Sequence, residues 1–194
     1  MVASNSDSDR TFSRVPDWRT CAVRCGIPGL ERSLTRDLEV LGVQPEATAN
    51  RLLLVDLPCG FALRMLDPAG SLREPTVAMT ENPCPEYWED LWALRPAGLI
   101  VGIQFDRAIL EALVQVSRGE RYQRMPARRS ALTPTERTLL RVVARGWDNA
   151  RIARQFHVED KTVRNSLTRV YAKLGVANRV EAALYYWGRA DLYT

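Results

Sequence analysis

The sequence predicts two folds in succession: an α/β domain with a parallel sheet and helices on both faces, then an all-α domain of four helices. Short segments rich in Val, Ile and Leu alternate with helical patterns over residues 18–117. Residues 132–194 show helical periodicity with capping signals, and basic residues concentrate toward this end. We therefore expect a flexible tail at 1–17, a linker at 118–131, and one domain on each side of that linker.

Four segments of the first domain have the composition of buried parallel strands. They are short and aliphatic, and each ends near a Gly, Pro or Asn. They comprise residues 21–25, 51–57, 75–80 and 97–103. Apolar residues recur at three- and four-residue steps in three further segments, 29–42, 85–95 and 108–119, which are predicted helices. This alternation of strand and helix predicts an α/β sheet covered on both faces.

The second domain begins with a strong helix-start signal. Thr133 is the predicted N-cap, Pro134 the first helical residue, and Glu136 completes a capping box; the helix should end at Gly146. Before it, residues 120–131 have no periodicity and are interpreted as linker. The remaining signals are Asp148 as the cap of a second helix, Glu159 or Asp160 as the start of a third that ends at Gly175, and Asn178 as the cap of a fourth that ends at Gly188.

The net charge of +4 conceals an asymmetry between the two halves. From Arg118 to the end there are 16 Lys and Arg residues against 7 acidic ones, whereas residues 1–117 contain 11 against 16. Such a distribution suggests that only the C-terminal part faces a polyanion. No apolar run approaches the roughly 20 residues of a membrane span, and the first 17 residues lack the apolar stretch of a signal peptide. We expect a cytoplasmic protein, associated with the nucleoid when it binds DNA.

The second and third predicted helices are joined by only residues 157–159, which forces a steep crossing. One helix is then free to enter a major groove about 12 Å wide while its partner braces it. The expected core comprises Ile152, Ala153, Phe156, Val163, Leu167, Val170 and Leu174. The opposite face of the third helix carries hydrogen-bond donors suited to bases and phosphates: Lys161, Arg164, Asn165, Thr168, Arg169 and Lys173. From this helix alone, a merely solvated polar face remains an equal alternative.

The whole stretch resembles the LuxR/GerE-type helix-turn-helix family. The segments that carry the resemblance read LTPTERTLLRVVARG and NARIARQFHVEDKTVRNSLTRVYAKLGVANRVEAA. The resemblance implies base contacts by Arg164, Asn165 and Thr168. It also implies DNA-backbone contacts by Lys161, Thr162, Arg169, Lys173 and Arg179. Ser166 stands where the family usually has His, so we expect one weaker backbone contact.

The first domain, placed before such a unit, resembles the receiver of NarL/FixJ-type response regulators, which have a flavodoxin-like fold. LLLVDLP looks like the strand that ends in the phosphate-accepting Asp, here Asp56, and TVAMT like the strand that ends in the switch Thr, here Thr80. AGLIVGI and AILEALVQVSRGERY look like the fifth strand and the last helix. The stretch between Arg24 and Asp56 is shorter than in most receivers, which predicts an abbreviated second strand and helix.

The residues that a receiver needs for phosphoryl transfer are missing. Phosphorylation of an Asp requires Mg²⁺ and a cation that holds the product, so receivers supply an acidic pair after the first strand and a Lys after the fifth. Gly102 stands at the Lys position and Leu99 at that of the switch aromatic; Lys161 and Lys173 are the only lysines in the chain. The acidic pair is replaced by Arg24, Cys25, Gly26 and Ile27. We expect a degenerate, phosphorylation-independent receiver, without metal or cofactor, in which Arg24 pairs with a vestigial Asp56.

The input to such a receiver stays open at this point. It could be constitutive dimerisation through helices 29–42 or 108–119, or a small molecule or partner protein at the vacated site, with Trp88 and Trp92 as part of the surface. Cys25, Cys59 and Cys84 follow predicted strands, which allows either redox or metal sensing or inert buried thiols. His157 is interpreted as a turn residue, and no Ser/His/Asp or Cys/His set suggests an enzyme.

The predicted function is a dimeric, sequence-specific transcription regulator acting on double-stranded DNA. Val180, Leu184 and Trp187 form an apolar stripe on the last helix that predicts dimerisation there, with Trp187 as anchor, and hence a near-palindromic operator. Two alternatives remain: a phosphorylation-dependent response regulator, and an interaction module without specific DNA binding. The sequence does not specify the operator, the target genes, the direction of regulation or the input signal.

Overall fold

The computed structural model describes residues 18–67, 72–102 and 105–189, except for the side chains of residues 105 and 106. The predicted tail at 1–17 lies outside these ranges. Among the described residues, none of the helices has the length and apolar character needed to cross a bilayer.

The first domain is built on a six-stranded, all-parallel sheet, as the alternating pattern predicted. Its strand order is β2-β1-β3-β4-β5-β6. The strands are β1 (Thr20–Cys25), β2 (Gln44–Pro45), β3 (Leu52–Val55), β4 (Thr76–Thr80), β5 (Gly98–Val101) and β6 (Tyr122–Arg124). The two central strands β3 and β4 are buried along their whole length, because helices cover the sheet on both sides.

Four helices accompany this sheet: α1 (Pro28–Val40), α2 (Phe61–Met65), α3 (Pro85–Ala93) and α4 (Phe105–Ser117). Helices α1 and α4 pack on one face, where Leu34 and Leu38 join Ile109 and Leu113 in a buried cluster. Helices α2 and α3 pack on the other face. The carboxyl ends of the strands thus meet at one edge of the sheet, where parallel α/β folds place their sites.

The structure corrects the predicted linker. Residues Tyr122–Arg124 were assigned to it, but they form β6, and the backbone N–H of Tyr122 donates to Ala97 O at 3.0 Å. Three residues are too few to show periodicity, so this strand has no sequence signal of its own. Between β2 and β3 there is a loop rather than a helix, and β2 has only two residues, which is the abbreviation that the short spacing predicted.

The C-terminal domain comprises α5 (Pro134–Ala144), α6 (Asn149–Phe156), α7 (Asp160–Leu174) and α8 (Arg179–Tyr186). The predicted caps are confirmed: the side chains of Thr133, Asp148 and Asn178 each accept a backbone N–H three residues later. Six of the seven predicted core residues are buried or pack against the core. Phe156 is the exception at 36% exposed, because it is the last residue of α6 and the core does not extend beyond the helix end.

The two domains share one hydrophobic core. A single cluster of buried residues continues from α2 and α3 of the first domain into α5 and α8 of the second. Side chains from both domains, Tyr87 and Tyr186, are fully buried within it. The edge of the sheet at the carboxyl ends of its strands therefore contacts the helical domain directly.

Candidate functional site

The polar face of α7 is open to solvent. The side chains of Val163, Leu167 and Val170 are buried on its inner face, and α7 packs mainly on α5, α6 and α8. All the donors predicted on this helix are exposed: Lys161, Thr162, Arg164, Asn165, Thr168, Arg169 and Lys173. The first domain thus leaves the predicted DNA-reading face uncovered.

The turn before α7 fixes how this face is presented. His157 caps the end of α6 with a left-handed backbone (φ 53°), which confirms the interpretation of this residue as part of a turn. The backbone N–H of Val158 then returns to Ala153 O at 3.0 Å. These contacts close the three-residue connection and hold α7 against α6 in a fixed orientation.

Two of the exposed donors already have acidic partners within the chain. Arg164 Nη2 lies 2.6 Å from Asp160 Oδ2, and Lys173 Nζ lies 2.6 Å from Glu136 Oε2. The bond from Lys173, followed by those from Thr133, lowers the pKa of the Glu136 carboxyl to about 2. Since both pairs are on the surface, each contributes little stability, and a phosphate oxygen could replace either carboxylate.

Arg179 is not part of the open face. Its guanidinium donates to Asn149 Oδ1 at 2.9 Å and to the carbonyl of Trp147. These bonds tie the start of α8 to the turn between α5 and α6. In this structure the Arg179 side chain therefore stabilises the packing of α8 on that turn.

Asp56 lies directly after β3 at the carboxyl edge of the sheet and is 2% exposed. Its Oδ1 accepts the backbone N–H of Ala62 at 2.8 Å, and its Oδ2 accepts the hydroxyl of Thr80 at 2.8 Å. Oδ2 also accepts the hydroxyl of Tyr87 at 2.6 Å. One of these bonds joins Asp56 to Thr80, the two residues that the resemblance named as acceptor and switch residue. The expected pairing with Arg24 is wrong, because three uncharged donors fill the carboxylate and the Arg24 side chain is exposed.

The residues around Asp56 do not fit the Mg²⁺ site that the receiver fold implies. Mg²⁺ requires several oxygen ligands in near-octahedral geometry, whereas both oxygens of Asp56 are bound by protein donors. Glu31, whose carboxylate reaches the end of β1, accepts the backbone N–H of Cys25. A cavity of about 170 Å³ beside Asp56 is lined mainly by apolar side chains such as Leu30 and Leu34, and Glu81 is the one other acidic residue in its wall. Within the described ranges, no three His, Cys, Asp or Glu side chains form a metal-binding group.

Comparison with known proteins identifies the C-terminal unit. Residues 130–186 match the family model of bacterial regulatory proteins, luxR family. These residues form a LuxR-family DNA-binding domain. An HTH-type transcriptional regulator of Mycobacterium bovis is 37% identical over 129 residues, which cover 61% of this chain and 14% of that protein. The DNA-binding transcriptional activator DevR/DosR of Mycobacterium tuberculosis is 32% identical over 102 residues, covering 50% of this chain and 46% of that protein.

A further relative and a solved structure resemble this chain, and the solved structure shows that the fold of the first domain is receiver-like. The response regulator VraR of Staphylococcus saprophyticus is 30% identical over 80 residues, covering 41% of this chain and 38% of that protein. The chain thus spans less than half the length of each of these relatives. A solved structure of two RcsB dimers bound to two parallel DNAs covers 87% of this chain and 98% of the RcsB chain, with a TM-score of 0.53 and 17% identity. At that identity the likeness shows the shared fold of both domains.

Helix α3 is where the receiver-like domain meets the LuxR-family domain. Trp88 on α3 is 4% exposed, and Trp92 is half-buried beneath the guanidinium of Arg121, 3.7 Å from its ring centre. The sequence suggested that this tryptophan-rich helix could bind a ligand or a partner protein. Part of this helix contacts the chain's own LuxR-family domain, and Trp88 and Trp92 also line a cavity of about 630 Å³ with residues 125–129.

Acidic side chains of α3 receive donors from the LuxR-family domain. Asp90 Oδ2 accepts the hydroxyl of Tyr186 at 2.6 Å, and Asp90 Oδ1 accepts Arg141 at 3.3 Å. Glu86 Oε1 accepts the hydroxyl of Ser130 at 2.7 Å. Further polar contacts join Tyr185 to Glu86, the backbone N–H of Ser130 to Glu89, and Arg137 to both Glu89 and Asp90. Polar groups buried by docking are thereby satisfied in pairs, which limits the cost of burying them.

Trp187 does not occupy the position that the sequence predicted for it. Its indole N–H donates to Ala144 O at 2.9 Å, and its ring packs edge-on against Tyr87 of the receiver-like domain at a centroid distance of 6.0 Å. Trp187 is therefore an interdomain contact here rather than an anchor for a second copy. Val180, at the other end of the stripe, is 66% exposed, and Leu184 is half-buried.

Tyr87 is the functional residue that the sequence reasoning missed. Its hydroxyl donates to Asp56 and accepts the backbone N–H of Gly60 at 2.9 Å. Burial, and next the charge of Asp56, raise the pKa of the Tyr87 hydroxyl far above its usual range, so it remains a donor. The sequence did contain a signal for this position: Tyr87 and Leu91 are four residues apart and therefore lie on the same face of α3, toward the sheet.

The cysteines have the surroundings of packed thiols. Burial is the main cause that raises the pKa of the Cys59 and Cys84 thiols, and it raises that of Cys21 to about 11. The thiol of Cys84 also donates to Glu86 at 3.2 Å. Reactive cysteines need a lowered pKa and a positively charged neighbourhood, so these contacts favour the interpretation of Cys59 and Cys84 as structural thiols over that of redox or metal sensors.

Proposed function

We propose that this protein is a sequence-specific DNA-binding transcription regulator that acts on the bacterial nucleoid as a dimer. The observation that carries the proposal is the open face of α7 on a LuxR-family domain, uncovered although the two domains are docked. Because the polar face of α7 is exposed while the two domains are docked, the protein can bind DNA without separating its domains.

We assign base contacts to Arg164, Asn165 and Thr168, since they lie at the centre of the exposed face of α7. An arginine guanidinium can form two hydrogen bonds with the edge of a guanine, and an asparagine amide can form two with the edge of an adenine. Lys161, Thr162, Arg169 and Lys173 surround them and are assigned to phosphates, where a flexible cation suffices. Arg179 is proposed to act indirectly, by fixing α8 against α6.

Dimerisation through α8 is the second part of the proposal. Val180 and Leu184 remain on the accessible side of this helix after docking. RcsB binds DNA as dimers, and we extend that arrangement to this chain. Two-fold symmetry of the protein then requires a near-palindromic operator with half-sites about one helical turn apart.

The third part is that Asp56 regulates without being phosphorylated. A nucleophilic carboxylate must reach its phosphodonor, whereas both oxygens of Asp56 are engaged in hydrogen bonds and the adjoining cavity is mainly apolar. A ligand in that cavity, or a partner protein at the receiver-like domain, is the route we propose for an input signal. The alternative from the same class is a response regulator whose acceptor opens transiently.

Fluorescence anisotropy with an operator selected in vitro, compared with scrambled DNA of equal length, tests specific binding. We expect the affinity to fall with salt at a log–log slope of about −0.9 per phosphate neutralised. Arg164→Ala should cost about 1–3 kcal/mol on the operator and relax its base preference, while Lys173→Ala should weaken all sequences alike.

Arg107→Ala is the matched control, because Arg107 is an exposed arginine on α4 of the receiver-like domain. Equal binding to operator and scrambled DNA would favour the alternative of an interaction module without specific DNA binding. Unchanged operator binding by Arg164→Ala would show that the reading face has been misplaced.

A further inference from the structure

One tyrosine connects the buried acceptor-like aspartate to the DNA-binding domain. The hydroxyl of Tyr87 is held at Asp56, and the edge of the same ring packs against Tyr186 and Trp187 at centroid distances of 5.5 and 6.0 Å. Tyr186 and Trp187 also pack edge-to-face on each other at 5.1 Å. Asp56 is therefore separated from the last helix of the LuxR-family domain by a single side chain.

The backbone around this contact is shaped for close docking. A Cβ on Gly60 would lie 3.0 Å from the ring of Trp187, and one on Gly188 would lie 2.6 Å from Pro83. Asn82 Nδ2 donates across the junction to Tyr186 O at 2.9 Å. Both glycines have a positive φ, which side chains disfavour. The loops after β3 and β4 thus receive the end of α8 with no space to spare.

The position of Tyr87 depends on Asp56 in a specific way. The Tyr87 hydroxyl oxygen accepts the backbone N–H of Gly60, and its proton is donated to Asp56 Oδ2. The side chain is fully buried, and a buried hydroxyl without an acceptor is costly. Loss of the carboxylate oxygen would leave Tyr87 with an unsatisfied proton at the centre of the interface.

We propose that Asp56 is the anchor of domain closure: its carboxylate fixes Tyr87, and Tyr87 forms the seat on which Tyr186 and Trp187 dock. The residue that a receiver would phosphorylate thus holds the LuxR-family domain in place through a permanent hydrogen bond. The proposal concerns how the two domains are joined and does not depend on DNA binding.

Hydrogen exchange of the full-length chain, read by mass spectrometry, tests this directly. Tyr87→Phe removes only the hydroxyl, and Asp56→Asn replaces one of the two accepting oxygens by an NH₂ group, which cannot accept a hydrogen bond. We expect peptides covering residues 182–188 to exchange about tenfold faster or more in both variants. Peptides of β3 and of α7 should exchange as in the parent protein. The control is Tyr122→Phe, whose hydroxyl bonds Glu111 on the opposite side of the sheet.

A merely structural role for Tyr87 would accelerate exchange in β3 as much as in residues 182–188, and that result would overturn the proposal, as would unchanged exchange in both regions. A double-mutant cycle supplies a second measurement. If Trp187→Phe already releases α8, adding Tyr87→Phe should change exchange of residues 182–188 by less than about twofold. Full multiplication of the two single effects would show that the two side chains act independently and would contradict the proposed seat.

Discussion

The hydroxyl of Tyr186 on α8 donates a hydrogen bond of 2.6 Å to Oδ2 of Asp90 on α3, and neither side chain is more than 4% exposed. Arg141 approaches the other oxygen of the same carboxylate at 3.3 Å. Each of these polar groups would be unfavourable alone in this position. Together they make the interface specific for one arrangement of the two domains.

Removal of the Tyr186 hydroxyl should therefore weaken docking. We expect Tyr186→Phe to lower the free energy of unfolding by about 1–3 kcal/mol, the range for a buried hydrogen bond to a charged group. Urea denaturation of the full chain measures this. Tyr185→Phe is the comparison, since Tyr185 is only half-buried and its bond to Glu86 is 3.1 Å long. An equal or larger loss in Tyr185→Phe would contradict the central place given to Tyr186.

The burial of Asp90 should give the interface a pH dependence of unusual sign. Desolvation raises the pKa of this carboxyl, more than the bonds from Tyr186 and Arg141 lower it, and the charge of Glu86 adds to the rise. The folded state therefore binds the proton more tightly than the unfolded chain does. The resulting contribution to stability is complete below the unfolded pKa of about 3.9 and is lost as the pH rises through the folded pKa.

Parallel urea titrations of the parent chain and Asp90→Asn between pH 4 and 7 isolate this contribution, because other groups titrate alike in both. The difference in free energy of unfolding, parent minus variant, should decrease as the pH rises. An increase with pH would mean that ion pairing with Arg141 and Arg145 outweighs the desolvation of Asp90.

Glu136 should restrain DNA binding while it stabilises the helical domain. Glu136→Gln releases Lys173, so we expect operator affinity to rise about two- to fivefold, the scale of a surface ion pair. Because the folded pKa is lowered to about 2, the stabilisation by Glu136 is present above its ordinary pKa of 4.5 and is lost as the pH falls through 2. Anisotropy at constant salt measures the affinity. Glu159→Gln removes a charge from the same domain without touching Lys173 and should change affinity less.

Phosphodonors should leave the protein unchanged. Incubation with Mg²⁺ and acetyl phosphate should add no phosphoryl group by intact-mass analysis and leave the DNA affinity as it was. The reason is that both oxygens of Asp56 are bound within the fold and the residues around it are unsuited to Mg²⁺. Addition of one phosphoryl group that disappears in Asp56→Asn would instead establish a phosphorylation-dependent response regulator.

A charge on the exposed side of α8 should prevent dimerisation. Val180→Asp should leave the fold intact, since Val180 is 66% exposed, but should abolish the dimer on DNA in sedimentation-velocity experiments. Val40→Asp is the comparison, because Val40 is an exposed valine on α1, a helix that the sequence also suggested for dimerisation. If both variants dimerise as the parent protein does, the interface lies elsewhere on the chain. If only Val40→Asp abolishes the dimer, the interface lies on α1.

Features with local signals were predictable from the sequence. The caps at Thr133, Asp148 and Asn178 depend on contacts between residues three positions apart, and four of the six strands, β1, β3, β4 and β5, follow from composition. The family resemblance named Asp56 and Thr80, and the structure joins them by a hydrogen bond. Each of these rests on the immediate neighbours of a residue or on a pattern shared with relatives.

The docking of the domains was not predictable, because it rests on pairs far apart in the chain. Tyr186 and Asp90 are 96 positions apart, and Asn82 and the carbonyl of Tyr186 are 104 apart. An apolar stripe such as the one that ends at Trp187 shows that a helix has a partner, but the pattern does not say whether that partner is a second copy or another part of the same chain. Strand β6 was missed for a different reason: it has only three residues, which are too few to show a periodic pattern.

The continuous core limits how this chain can exchange parts with its relatives. The two domains are separate units in the sequence, yet the end of the C-terminal unit fits against loops of the N-terminal unit. A chimera that joined residues 130–189 to another receiver would keep this fit only where that receiver left room for Trp187 at the position of Gly60. A side chain added to either half at this junction should therefore disturb the other half as well.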